Sequence, residues 1–284
     1  NVTQSAMSAS LKRLRESFQD DILAQHGKRM IPTPFALTMQ AEVSGKISEL
    51  RALIARQGRF DPRHAERRFR IAASDYITTV LFAPLLNSLA QEAPSIRFAF
   101  ELPGPDSQIA LGNGDLDLML TPEVFVHPDH PYELVFEERH VTVASLDNPM
   151  VEDGLSRSTF VNSGHVGVSV ARKHTFAEEW FSRHGVERRI EVRAPSFIQA
   201  PFLVPGTMRL CVMHERLAHY MAQLLPLKIL ETPFPIPPMR EMVQFHATRE
   251  ADPGLQWLRQ KIGAMASRSQ VSPASAAATG TGRE

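Results

Sequence analysis

Apolar residues fall at helical spacing twice within the first sixty positions, and beyond Phe69 apolar runs of strand length alternate with amphipathic stretches. Met7, Leu11, Leu14 and Phe18 recur at intervals of four, three and four, which predicts a helix capped by Thr3 with one buried stripe. Ala36, Met39, Val43, Ile47, Leu50 and Ile54 repeat at three and four over about 35–57, giving a rod of roughly 35 Å with a narrow seam. Such a seam implies a partner helix, either from a second copy or from the same chain. Between the two helices, His26-Gly27-Lys28-Arg29-Met30-Ile31-Pro32-Thr33 supplies a turn glycine, two cations and a return strand, the composition of a hairpin.

The Gly58-Arg59-Phe60-Asp61-Pro62-Arg63 stretch breaks the helical pattern, so 59–67 reads as a hinge linker. A strand from Phe69, a helix over 77–93 and a strand over 96–102 make a βαβ unit, whose sheet should be parallel. A short helix over 107–111, the turn Gly112-Asn113-Gly114, a buried strand over 116–121 and one long strand over 134–144 follow. A second alternating set comes next, with strands expected at 159–162, 188–193, 208–213 and 227–231 and helices at 175–184, 197–204 and 215–224. A strand over 241–248 and a helix over 253–264 return the chain to the first lobe. The pattern predicts two α/β lobes over 68–266, with lobe 1 at 68–145 and 246–266 and lobe 2 at 146–245. The Ser, Ala, Thr and Gly of 267–284 predict a disordered tail.

A length of 284 residues suits two or three folded units. The formal net charge of zero conceals an asymmetry, because residues 1–70 hold 13 Lys or Arg against 7 Asp or Glu and the remainder is acidic by the same margin. A basic head on an acidic body fits a head that meets a polyanion. Opposite its apolar stripe the first helix carries Gln4, Ser8, Lys12 and Arg15, side chains suited to phosphates and base edges. With Thr3 and Ser5 at the helix start and Lys28 and Arg29 in the hairpin, they form the candidate DNA face. The segment 1–33 thus reads as the remainder of a truncated winged helix-turn-helix, whose helix before the turn is expected ahead of Asn1, and 34–58 as a linker and dimerisation helix. An ordinary amphipathic helix with a solvated charged side would show the same alternation.

The single cysteine, Cys211, sits in the apolar run Leu210-Cys211-Val212-Met213 and is expected to be a packed thiol. No run approaches the roughly 18 apolar residues that cross a bilayer and no secretory signal precedes Thr3, so the expectation is a cytoplasmic protein without a membrane partner.

Enzyme chemistry finds little support. Gly112-Asn113-Gly114 lacks the third glycine of a dinucleotide loop, there is no phosphate-loop lysine motif or nucleophile elbow, and His127-Pro128-Asp129-His130 has no third metal ligand at a recognisable distance. Neither catalytic residues, nor a metal, nor a cofactor is expected. The crevice between two α/β lobes is where strand ends and helix N-termini converge. Its candidate walls are Ser74, Asp75, Tyr76 and Thr78 after the first strand, Thr121 and Pro122 at the end of another, and Ser196, Phe197 and His214 from the second lobe. Hydroxyls, one aromatic ring and an imidazole, with no arginine pair, suit a neutral or weakly acidic phenolic compound better than a sugar phosphate. A solute-binding protein of transport type would share this body but has no use for residues 1–57. An enzyme on the same lobes would need a nucleophile, base or metal set.

The chain resembles the LysR-type transcriptional regulators, most closely their NodD-like branch, from Thr3 to about Ile262. The matching words are Gln4-Ser5-Ala6-Met7-Ser8, Pro32-Thr33-Pro34, Phe69-Arg70-Ile71 with Ser74-Asp75, Pro122-Glu123, Glu178-Glu179-Trp180-Phe181, His184-Gly185, Arg188-Arg189, Pro226-Leu227 and Asp252-Pro253. Ile22-Leu23 and Gln25 stand where the family usually has a Leu-Phe pair and an arginine. The resemblance implies a cytoplasmic regulator that binds promoter DNA through a winged helix-turn-helix and forms a homodimer or homotetramer through the linker helix. It also implies a small, often aromatic inducer held between two lobes like those of periplasmic binding proteins.

Overall fold

The computed structural model describes residues 3–27, 29–55, 60–170 and 173–268. Helix α1 (Gln4–Phe18) begins where Thr3 Oγ1 accepts from the Ala6 N–H. The strands β1 (Leu23–His26) and β2 (Arg29–Pro32) pair antiparallel, with Leu23 opposite Pro32 and His26 opposite Arg29. Gly27 takes the left-handed φ of 63° that this tight turn demands. Asp20 Oδ1 accepts from the Ile22 N–H and from Thr33 Oγ1, and Thr33 Oγ1 in turn accepts from the Ala36 N–H, so one chain of bonds joins hairpin and following helix.

The stripe on α1 is not buried as expected. Met7, Leu14 and Phe18 remain 58%, 42% and 44% exposed, and Phe18 finds only the Phe35 ring, 5.7 Å away. Periodicity identifies an apolar face but not what covers it, and among the described residues no element lies over this one.

Helix α2 (Pro34–Ala55) likewise leaves Leu37, Val43, Ile47 and Leu50 exposed. Its opposite side docks on the body, where Ser48 is 2% exposed. Gly114 lies beneath it with φ +76°, and a Cβ there would stand 2.8 Å from Ser48 Oγ and 3.2 Å from Arg249 Nη2. Gly114→Ala is therefore expected to destabilise by about 1–3 kcal/mol, through backbone strain and overpacking. The check is a lowered melting temperature with earlier proteolysis in α2; an unshifted melt with unchanged cleavage would count against the docking.

The body contains β3 (Arg68–Ala72), a helix α3 over 75–89, β4 (Arg97–Glu101), α4 (Ser107–Gly112), β5 (Leu118–Pro122) and β6 (Tyr132–Glu138). Next come β7 (His140–Ser145), α5 (Arg157–Asn162), β8 (Gly164–Val170), β9 (Lys173–His174), α6 (Phe176–Arg183) and β10 (Arg189–Ala194). The chain finishes with β11 (Leu210–His214), α7 (Glu215–Ala222), β12 (Leu227–Glu231), β13 (Met239–Gln244) and α8 (Pro253–Arg268). One sheet has the order β4-β3-β5-β13-β6 and the other β10-β8-β11-β7-β12, with β9 on the side of β8. Within α3 a π-helical turn spans Thr78–Phe82, where Pro84 removes an N–H from the ladder.

Several expectations need correction. The strand over 134–144 is two strands, since β6 pairs with β13 in the first sheet while β7 pairs with β11 and β12 in the second. Ladder partners thus put the crossing at Arg139 and the return between Glu231 and Met239, not at 145 and 245. The strand expected at 159–162 is helix α5, capped by Ser156 Oγ. A 3-10 turn at Ala200–Leu203 replaces the helix over 197–204. Strand β8, paired with both β10 and β11, escaped the pattern because Gly164 and Gly167 dilute its apolar signal. The glycines have a reason: a Cβ on Gly164 would stand 2.3 Å from the Glu191 carboxyl, and one on Gly167 3.3 Å from Ile190. The disordered tail expected over 267–284 starts too early, because Ser267 and Arg268 close helix α8, with Ser267 Oγ donating to the Gly263 carbonyl; 269–284 lie outside the described residues.

Candidate functional site

Between the lobes lies a cavity of about 390 Å³. Its lobe 1 wall begins where β3 hands over to α3. Ser74 caps that helix by accepting from the Ile77 N–H, and Tyr76, 1% exposed, follows in its first turn. The Tyr76 hydroxyl donates to Glu138 Oε2 at 2.5 Å. Glu138, itself 1% exposed, also accepts from the Arg216 N–H at 3.1 Å and from Arg216 Nη1 at 2.6 Å. The Arg216 guanidinium lies over the Phe136 ring, 4.2 Å from its centroid. A buried carboxylate is tolerated here because one cation and two further donors satisfy it.

From lobe 2, the His214 ring stacks on Tyr76 at 3.8 Å with planes 2° apart, and Phe197 meets His214 edge-on at 4.7 Å. Behind His214 stand His140 at 5.0 Å and then Phe176, stacked on His140 at 5.6 Å. Burial pushes the His140 pKa down to about 4. Burial, with His140 beside it, holds His214 well below the usual imidazole range. Burial and then the Glu138 charge raise the Tyr76 phenol well above 10. Glu241, on β13, lines the cavity at 2% exposure, and burial followed by repulsion from Glu138 pushes its carboxyl well above the normal range. Burial thus favours the uncharged form of each of these groups.

Among the described residues no Lys or Arg lines the cavity. The described lining offers aromatic faces and hydrogen-bonding groups, the composition of a small-molecule site. Among the described residues no cluster of His, Cys, Asp or Glu could hold a metal, and no helix is long and apolar enough to cross a membrane.

The family model for the LysR substrate binding domain matches residues 62–267. The chain is also 37% identical over 264 residues to nodulation protein D 2 of Rhizobium tropici, covering 92% of this chain and 84% of that protein. It is a LysR-type transcriptional regulator. Nodulation protein D 1 of Bradyrhizobium japonicum is 34% identical over 262 residues, covering 92% of this regulator and 82% of its own length. Full-length OxyR from Pseudomonas aeruginosa superposes with a TM-score of 0.72 over 93% of the regulator and 85% of OxyR, at 14% identity, and so shares the fold.

The cavity of this LysR-type regulator gathers Ser74, Tyr76, Thr121, Pro122, Phe197 and His214. Asp75, Thr78 and Ser196, expected beside them, are engaged elsewhere. Asp75 Oδ2 accepts from Ser196 Oγ at 2.5 Å and from the Ile198 N–H at 3.2 Å, so Asp75 and Ser196 tie the lobes together. Thr78 Oγ1 donates to the Ser74 carbonyl inside the helix. Sequence reasoning missed Glu138, Glu241, Arg216, His140 and Phe176. Glu241 had left a signal, since Met239, Glu241 and Val243 alternate on one face of β13 and are all buried.

At the other end of the chain, Thr3, Gln4, Ser5, Ser8 and Lys12 are exposed on α1 and Arg29 on β2, while Lys28 lies outside the described residues. Arg15 differs from expectation. Its guanidinium donates to the Asp21 and Leu23 carbonyls at 2.7 and 3.2 Å, bracing the hairpin against the helix. The Cys211 thiol is buried, as its apolar run predicts, and burial pushes its pKa up to about 12.

Proposed function

We propose that this regulator responds to a small uncharged aromatic or phenolic inducer bound between its lobes. It acts in the cytoplasm as an oligomer on promoter DNA. The observation that carries the inducer assignment is the crevice of about 390 Å³, walled by Tyr76, His214, Phe197 and Phe176 with no lining cation among the described residues. Gln4, Ser8 and Lys12 meet a major groove, with Thr3 and Ser5 at the helix start and Lys28 and Arg29 on the neighbouring backbone. The exposed Leu37, Val43, Ile47 and Leu50 of α2 cover themselves with a second copy, because an apolar seam of that length is costly in water. Inducer occupancy shifts the assembly by binding two arrangements of the lobes with different affinity.

The test pairs two measurements. Phe197→Ala is expected to weaken the melting-temperature rise given by phenolic compounds while leaving promoter affinity intact. Promoter affinity itself should fall with salt by about 0.9 log units per log of salt for each phosphate neutralised, and Lys12→Ala or Arg29→Ala should each lower that slope. Equal loss of ligand and DNA binding in Phe197→Ala, or a flat salt response, would refute these assignments.

A further inference from the structure

Among the described residues Glu241 is the only acidic side chain lining the crevice, and its carboxyl makes no hydrogen bond. The Tyr76 hydroxyl and Arg216 Nη1 are engaged with other acceptors: Tyr76 donates to Glu138, and Arg216 donates to Glu138 and to the Glu137 carbonyl. On the adjoining strand position, Arg240 turns outward to Glu123 and lies 3.9 Å from Glu137. The cross-strand neighbours of Glu241 are Pro122 on β5 and Phe136 on β6, neither of which can pair with a carboxyl. Arg216 Nε, His214 Nδ1 and His140 Nδ1 also lack partners among the described residues, and a buried carboxyl left open toward a cavity marks where a ligand atom belongs.

We propose that the Glu241 carboxyl determines specificity in the crevice, exchanging hydrogen bonds with the hydroxyl of an uncharged phenolic ligand and turning away aromatic carboxylates of the same size. The inference rests on the crevice being the aromatic site argued above. A protonated carboxyl donates once and accepts through its carbonyl, and a phenolic hydroxyl does the reverse, so both are satisfied together. An aromatic carboxylate would enter a site with no cation among its described lining residues, next to the buried Glu138 charge, and would lose hydration without a described opposite charge. A site with one buried polar group to satisfy discriminates strongly against a ligand that leaves it open.

Titration has a definite sign. Burial and the Glu138 charge hold the Glu241 proton on, so the stability this gives is complete below the ordinary carboxylate pKa and is lost as pH rises through the raised value. The other ionisable groups facing this region are Tyr76, Glu138, Arg216, His214 and His174. The two histidines differ in position: His214 is stacked on Tyr76, and His174 lines the opposite wall.

Calorimetric titration of the full chain with 2-naphthol and 2-naphthoate, over about pH 6–8 where the naphthol stays neutral, tests the proposal. 2-Naphthol should bind, more tightly toward the acid end, and 2-naphthoate at least about tenfold more weakly. Glu241→Gln, which keeps one donor and one acceptor, should bind 2-naphthol with a flattened pH response. Glu241→Leu should lose about tenfold or more for 2-naphthol and most of the preference over 2-naphthoate. Without ligand, the melting temperature of Glu241→Gln should gain on the unsubstituted protein as pH rises, which reads the proton directly. Equal binding of the two naphthalenes, unchanged 2-naphthol affinity in Glu241→Leu, or a melting difference that does not grow with pH would each overturn the role of Glu241. Binding of neither compound would instead overturn the aromatic reading of the crevice, and this proposal with it.

Discussion

Glu138→Ala is expected to cost about 3–5 kcal/mol of stability, because it leaves the Arg216 guanidinium, 15% exposed, without its carboxylate. The Arg216 N–H and the Tyr76 hydroxyl lose their acceptor at the same time. For a body of this size the melting temperature should fall by about 2–4 °C per kcal/mol. The cycle with Arg216→Leu separates pair from packing. If the loss comes from an uncompensated charge, the double variant Glu138→Leu with Arg216→Leu should be closer to the parent than Glu138→Ala is. A double variant as unstable as the sum of the single ones would show that the two side chains act independently. Because Glu138 belongs to lobe 1 and Arg216 to lobe 2, the cost should also appear as easier separation of the lobes, detectable as a larger radius of gyration in solution scattering.

The second large effect is expected at Asp75. Asp75→Ala removes both bonds that its carboxylate accepts from lobe 2, from Ser196 Oγ and the Ile198 N–H. Hydrogen bonds to charged groups contribute about 1.5–3 kcal/mol each, so the equilibrium between joined and parted lobes should shift by a hundredfold or more. Ser196→Ala removes only one of the bonds and should shift it less, which makes the pair a graded series. The measurement is the distance between fluorophores on the two lobes, with inducer affinity followed in parallel, since a ligand that needs both walls loses affinity in proportion to the joined population. Unchanged distances in both variants would show that other contacts hold the lobes. Neither residue lines the cavity, so any loss of ligand affinity would act through lobe placement and not through direct contact.

The site was only partly legible in the sequence, and the pattern of success is physical. Ser74, Tyr76, Phe197 and His214 follow strand ends, where α/β topology gathers residues, and they do meet at the cavity. Asp75 and Ser196 sit in equally suitable positions, but each found a partner across the lobes, and partner choice is a three-dimensional property. Glu138 and Glu241 sit in strands with other charged residues. Only the path of β6 and β13 to the lobe junction makes them neighbours of Tyr76 and takes them out of water.

By itself the sequence determined the two amphipathic helices with a hairpin between them, the two rounds of α/β structure and the family. Periodicity, capping and turn residues act over a few positions and need no knowledge of distant partners. Tertiary structure alone decided which sheet receives β7 and β8, that the α1 stripe stays exposed among the described residues, and that a buried acid faces the crevice. Strand pairing and burial are set by contacts between residues far apart in the chain, and a carboxyl's proton is set by the water and charge around it, neither of which a local pattern encodes.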